Sequence, residues 1–209
     1  MTTLHIVYDD VLTARDKQAV ALALSHIHDI FPELRMHNHM NHPFGEGNLN
    51  SGERFVMKVN HTGNQVDAVS LIRVIDQSAL KDHAVLVVTG RDLTIKPPNW
   101  VFGAASLGKS YAVISVHRFQ DLPYEDRKIA LRRTFRHELG HILGMARDLK
   151  RPYTVEDSGP HCTHDVCAMR QTHGMKELLM AAKAEETSGQ YYCQDCLMDY
   201  HKHMKTPGA

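Results

Sequence analysis

His137, Glu138 and His141 form an HExxH pattern, two imidazoles four residues apart with a carboxylate between them. On a helix, residues four apart share a face with Cβ atoms about 5–6 Å apart, so both rings can reach one zinc ion. Glu138 points about a quarter turn away and can take a proton from a zinc-activated water without occupying a coordination place. Peptide hydrolysis needs that pair of functions, because the amide carbonyl is a poor electrophile and its oxyanion must be stabilised. The same residues on a surface helix would be an ordinary solvated His/Glu/His face. The context favours the metal: an amphipathic helix, Gly144 at its end, and cysteine pairs downstream.

Cys162, Cys167, Cys193 and Cys196 are all the cysteines of the chain, and they fall in two close pairs. Four thiolates at C-x4-C and C-x2-C spacing make a closed tetrahedral zinc site with no exchangeable position, so its role would be structural. Unrelated buried cysteines would not be expected to pair in this way. A tail this short cannot stabilise itself with a core, and the site would pin a small C-terminal lobe.

The elements that must position these residues can be read from periodicity. Leu4–Tyr8 reads as a strand. Residues 12–30 read as a helix, with Ala19, Leu22, Leu24 and Ile27 on one side and Pro32 ending it. Leu34–Met36 and Phe55–Val59 read as strands, with a Gly- and Asn-rich loop over 42–52 between them. A helical period runs over 66–80, with Val69, Ile72, Val74 and Ile75 as core positions. His83–Val88 is a buried strand, 90–99 a connection, and 100–103 and 111–116 two further strands. The next helix begins near 121–123, where Pro123, Glu125 and Asp126 suit a first turn. Leu131, Phe135, Leu139 and Ile142 make its core stripe, leaving His137 and His141 to face a cleft. Beyond Gly144 one further helix is expected, over about 175–186. The pattern predicts an α+β chain, a mixed β-sheet packed on helices.

With 209 residues, 43% apolar and 23% charged, the chain suits one globular domain, 1–144 forming an N-terminal lobe and 145–209 the C-terminal one. A net charge of zero gives no reason to expect nucleic acid or an anionic membrane as partner. The opening residues lack the features of a signal peptide, and the apolar runs are too short to span a bilayer. A cytoplasmic location is expected, with thiols reduced and available to metal.

HELGHILG (137–144), HCTHDVCAM (161–169) and CQDC (193–196) resemble the archaemetzincins among the metzincin metallopeptidases. The motifs cover the last third of the chain. The resemblance implies a metzincin-like fold with an active-site helix and a zinc peptidase acting on peptide or protein substrates. It implies a catalytic zinc on His137, His141 and His161, Glu138 as general base, and Met169 in a tight turn beneath the metal. It also implies a second, structural zinc on Cys162, Cys167, Cys193 and Cys196, two Zn2+ in all.

One departure stands out. The family places its third His three residues after the Gly, and Arg147 occupies that position. His161 comes fourteen positions later. An excursion loop over 145–160 would let His161 enter the site, at a closure cost of roughly 2 kcal/mol. Zinc ligation can supply on the order of 10 kcal/mol. The alternatives are a changed third ligand, Asp148 or His164, or an incomplete site. His37, His39 and His42 read as a solvated loop, and nothing places Tyr191 or Tyr192 near the first zinc. The reading is a zinc-dependent peptidase. Its rival is an inactive two-zinc scaffold that binds peptides or a partner.

Overall fold

The computed structural model describes residues 3–9, 11–39, 65–77, 83–95, 99–106, 109–156 and 159–205, and the backbone of 47–48, 54–55 and 61–62. In chain order the elements are β1 (Thr3–Tyr8), α1 (Ala14–Ile30), β2 (Arg35–His39), β3 (Gly47–Asn48), β4 (Arg54–Phe55), β5 (His61–Thr62), β6 (Gln65–Asp67) and α2 (Ala68–Asp76). There follow β7 (Ala84–Thr89), β8 (Asp92–Thr94), β9 (Trp100–Val101), β10 (Gly103–Ala105), β11 (Tyr111–Ser115) and α3 (Tyr124–Ile142). The last are β12 (Thr154–Glu156), β13 (Pro160–Cys162), α4 (Met175–Ser188) and α5 (Gln194–Lys205).

The main sheet runs β10-β11-β7-β1-β2, parallel except for β10, which lies antiparallel to β11 at one edge. Every residue of β7 is buried, which its β-branched run requires of a central strand. Alternation splits the sheet between two cores. Leu4, Ile6, Leu86, Val88, Ala112 and Ile114 face the core under α1 and α3. Val7, Val85, Val87, Tyr111 and Val113 pack with Leu71 and Ile75 of α2.

α1 starts at a capping box, Thr13 receiving the Asp16 amide while Asp16 accepts from the Thr13 backbone. The Asp16 carboxylate then pairs with buried Arg127 of α3, tying the two helices together. α3 buries Leu131, Phe135, Leu139 and Ile142 as its stripe predicts. Gly144, at φ +81, ends the turn after it. A Cβ there would also lie 2.6 Å from the ring of His203, so a glycine lets α5 come this close.

Several expectations need correction. Leu22 and Val69 are exposed, and α1 instead buries Val20, Ala23, Leu24 and Ile27. Asp67 caps α2, so the helix begins at Ala68 while Val66 belongs to β6; that phase turns Val69 outward and Leu71 inward. The connection over 90–99 contains β8, which pairs with β6 and β9. Most of the expected 55–59 strand, and His42, lie outside the described residues. A second C-terminal helix, α5, forms around the CxxC pair, where metal-ligand spacing hid its (i, i+4) core pair of Cys196 and Tyr200. The four cysteines, Met169, Tyr192 and Tyr200 join the cluster containing Leu139 and Ile142. Among the described residues no helix is long and apolar enough to cross a membrane.

Candidate metal centres and the cleft between them and the sheet edge

α3 carries His137 and His141 on one face, and the chain after it returns as an antiparallel hairpin, β12 with β13. The stretch read as an excursion loop is thus partly paired structure, with Val155 opposite His161. Arg151, at the base of the hairpin, is bound to Asp199 and to the Asp195 carbonyl of α5, which anchors the excursion. The result is that the rings of His137, His141 and His161 gather with centroids 4.9, 5.1 and 5.0 Å apart. One nitrogen from each lies within 4.8 Å of the others.

The tautomers follow from the partners. A carbonyl can only accept, so His137 Nδ1 donates to Ala168 O at 2.7 Å and His161 Nδ1 donates to Gly159 O at 2.9 Å. His161 Nε2 stands 3.2 Å from His137 Nε2. Two nitrogens on a tetrahedral zinc stand about 3.3 Å apart, so the spacing fits the ion. Burial, reinforced by the neighbouring imidazoles, holds His137 well below the usual histidine range and His141 down to about 3. Both rings are therefore neutral and able to ligate.

Glu138 is buried beside this group, and burial pushes its carboxyl up to about 8. It lies against Gly103 of the edge strand β10, where a Cβ would come within 2.5 Å of Oε1. Gly140 serves Met169 in the same way, since a Cβ there would lie 2.1 Å from Sδ. Met169 is fully buried under the histidine face of α3. The sequence reading placed Gly103 in the 100–103 strand without this role and did not single out Gly140. Gly140 had a readable signal, because glycine inside a helix costs about 1 kcal/mol relative to alanine and implies a close neighbour.

Cys162 and Cys193 lie 3.7 Å apart, as do Cys167 and Cys196, and all four are buried. Thiolates on a tetrahedral zinc stand about 3.8 Å apart, so this spacing also fits. Hydrogen bonds among the neighbouring thiols push Cys167 and Cys196 upward and hold Cys162 and Cys193 down.

The other residues weighed fall elsewhere. Arg147 is exposed. Asp148 stands 3.8 Å from Arg151, and His164 stands 3.5 Å from Asp195, in a group with Cys193. Tyr192 donates to the Arg136 carbonyl and Tyr191 lies against the Arg136 guanidinium, both structural positions. His37 and His39 are not in a solvated loop but on β2, with His39 buried 3.1 Å from His5. Parallel pairing of β1 with β2 brings them to His5, a long-range neighbour that sequence spacing does not show.

The three histidines and Glu138 line a cleft of about 700 Å³. Trp100, Phe102 and Gly103 form one wall, and Gln171, His173 and Leu178 the other. Arg118 forks onto Asp92 and lies 4.0 Å over the Trp100 ring, which steadies the first wall.

No protein-family profile matches the chain. It is 32% identical over 93 residues to archaemetzincin from Archaeoglobus fulgidus, covering 44% of this chain and 49% of that protein. It is 31% identical over 136 residues to archaemetzincin from Pyrococcus furiosus, covering 62% and 58%. The matches thus span about half the length of these curated relatives. In structure it resembles crystalline archaemetzincin from Methanopyrus kandleri, with a TM-score of 0.68, 20% identity and coverage of 98% and 96%. A zinc-dependent peptidase from Methanocorpusculum labreanum gives a TM-score of 0.60 at 19% identity, covering 94% and 99%. At such identities these structures establish a shared fold.

Proposed function

We infer that this chain, which is archaemetzincin-like in sequence and in fold, is a zinc-dependent peptidase whose own residues supply ligands, base and substrate groove. The observation that carries the reading is the convergence of His137, His141 and His161 at the floor of a cleft, with Nε2 of His137 and His161 3.2 Å apart, next to buried Glu138. His137, His141 and His161 would hold the catalytic zinc. Bound there, the ion would supply a Lewis acid for the scissile carbonyl and for water. Glu138 takes a proton from the attacking water and passes it to the departing amine. Cys162, Cys167, Cys193 and Cys196 would hold a second, structural zinc, which fixes the end of β13 and with it His161.

β10 lies at the edge of the sheet and forms one wall of the cleft. An extended peptide can add to such an edge by main-chain hydrogen bonds. This orients a scissile bond across the cleft without demanding a particular side chain, so the substrates are peptide or protein segments in extended form.

The test is hydrolysis of an unfolded protein and of a mixed peptide library by zinc-loaded full-length chain. Activity should vanish on chelation that removes one zinc per chain and return when that zinc is restored. A chain holding both ions that cleaves nothing in the library would leave the binding scaffold as the better reading.

Gly103→Ala gives a further expectation. Its Cβ would strike the Glu138 carboxylate and drive it from its place. Hydrolysis should fall by roughly tenfold or more, the scale of a displaced acid–base group. Zinc content should not change. Wild-type turnover in this variant, measured by initial rates, would mean that Glu138 does not work from the position it occupies against β10.

A further inference from the structure

We propose that Arg133 is a positioning residue for the three-histidine site, holding the Ala168 carbonyl that orients the His137 ring. The inference rests on the reading that these histidines bind zinc.

Arg133 lies one helical turn before His137, so both leave α3 on the same side. Its guanidinium is buried, with both Nη groups bound to backbone carbonyls and Nε in an ion pair without a hydrogen bond. Nη1 donates to Ala168 O at 3.2 Å and Nη2 to Arg170 O at 2.9 Å, while Nε lies 3.1 Å from Glu185 Oε1 of α4. The Ala168 carbonyl is the same one that receives His137 Nδ1 at 2.7 Å. One cation therefore grips the turn containing Met169 on both sides of that residue.

Other bonds hold the turn but leave this carbonyl alone. Ala168 N donates to Tyr191 O at 2.7 Å, and Cys162 N donates to Met169 O at 3.0 Å. Only Arg133 and His137 share Ala168 O among the described hydrogen bonds. Without the guanidinium, the carbonyl is free to tilt and the imidazole to rotate with it.

The charge is balanced by design of the packing. Glu185 also accepts from Arg136 Nη2 at 2.9 Å, and all three side chains are within 2% of complete burial. Burying charge is costly unless it is paired and hydrogen-bonded. A buried fork used on two backbone carbonyls of one turn points to a geometric task, since an apolar side chain would serve for packing alone. Lysine cannot replace it, because an ammonium lacks the planar fork that spans two carbonyls and a carboxylate together.

The Cys162–Cys167–Cys193–Cys196 site serves as an internal control. Full-length Arg133→Lys would be compared with wild type by chelator competition, by zinc count, and by the visible spectrum of cobalt placed in the histidine site. The expected result is a loss of histidine-site affinity of about 10–100-fold, the range for outer partners of metal ligands. The cobalt bands should shift, while the cysteine-site zinc stays as in wild type and the chain still melts cooperatively. Unchanged affinity and an unchanged spectrum would overturn the proposal. So would equal loss of both metals from a chain that still melts cooperatively, which marks a merely structural role. If Arg133→Lys does not fold, Glu185→Gln decides, since it keeps the side-chain shape and leaves Arg133 in place. Weakened histidine-site affinity is then expected, and wild-type affinity overturns the inference. A wild type that binds only the cysteine-site ion would defeat the zinc reading itself, and is told apart by appearing before any substitution.

Discussion

Glu138→Gln should keep two zinc ions per chain and lose peptide hydrolysis by about 10²–10⁴-fold, the usual share of a positioned acid–base group. Glutamine has the shape of glutamate and fits the same space against Gly103, so the fold has no reason to change. What it lacks is a site for the proton of the attacking water. Glu138 is 5% exposed, and bulk water cannot readily substitute for it. Initial rates alongside zinc analysis check the expectation. Turnover within tenfold of wild type, with zinc in place, would remove Glu138 from the mechanism.

The same substitution has a second consequence in the metal-free chain. Burial raises the Glu138 pKa to about 8, above its ordinary value of 4.5. Between those values the folded chain binds a proton that the unfolded chain does not. Stability is therefore lost as pH rises through that window. Metal-free Glu138→Gln should melt higher than metal-free wild type near pH 8, and the gap should close toward pH 4. A gap that widens on acidification would show that the carboxyl is not held protonated by burial.

His161→Ala should lower zinc from two ions per chain to about one and abolish hydrolysis. Two histidines remain in such a variant, and catalytic zinc sites use three protein ligands. The cysteine site should stay filled, because Cys162 keeps its place through the Met169 carbonyl and through its neighbours Cys167, Cys193 and Cys196. The alternatives for the third ligand are Asp148 and His164. The structure puts the first beside Arg151 and the second beside Asp195, so neither is expected to rescue the site. Retention of two zincs, by elemental analysis, would transfer the third position away from His161.

How far the sequence reached can be judged residue by residue. The strand at 84–89 and the stripe Leu131–Phe135–Leu139–Ile142 were legible because burial leaves a periodic trace in side-chain type. His137, Glu138 and His141 were legible because their geometry is local to one helix. The four cysteines were legible because few other uses explain two close pairs. Local phase was less secure: Val69 was expected inside and faces out, since a cap at Asp67 sets where α2 begins. α5 was missed because its polar, histidine-rich face and its ligand spacing mask a short buried stripe.

The sequence by itself determined the chemistry on offer, an HExxH helix and a set of thiols, because these depend on residue type and on spacing within single elements. It left open which residue joins His137 and His141, since a fourteen-position excursion has no local geometry to read. The tertiary structure supports His161 there, because the β12–β13 hairpin and its Arg151 anchor bring its Nε2 to 3.2 Å from His137 Nε2. It also decided what no spacing encodes: that Gly103 makes room for Glu138, that Gly140 makes room for Met169, and that Arg133 meets the Ala168 carbonyl. Those contacts join residues far apart in the chain, and they exist only after the sheet, α3 and the C-terminal helices have packed.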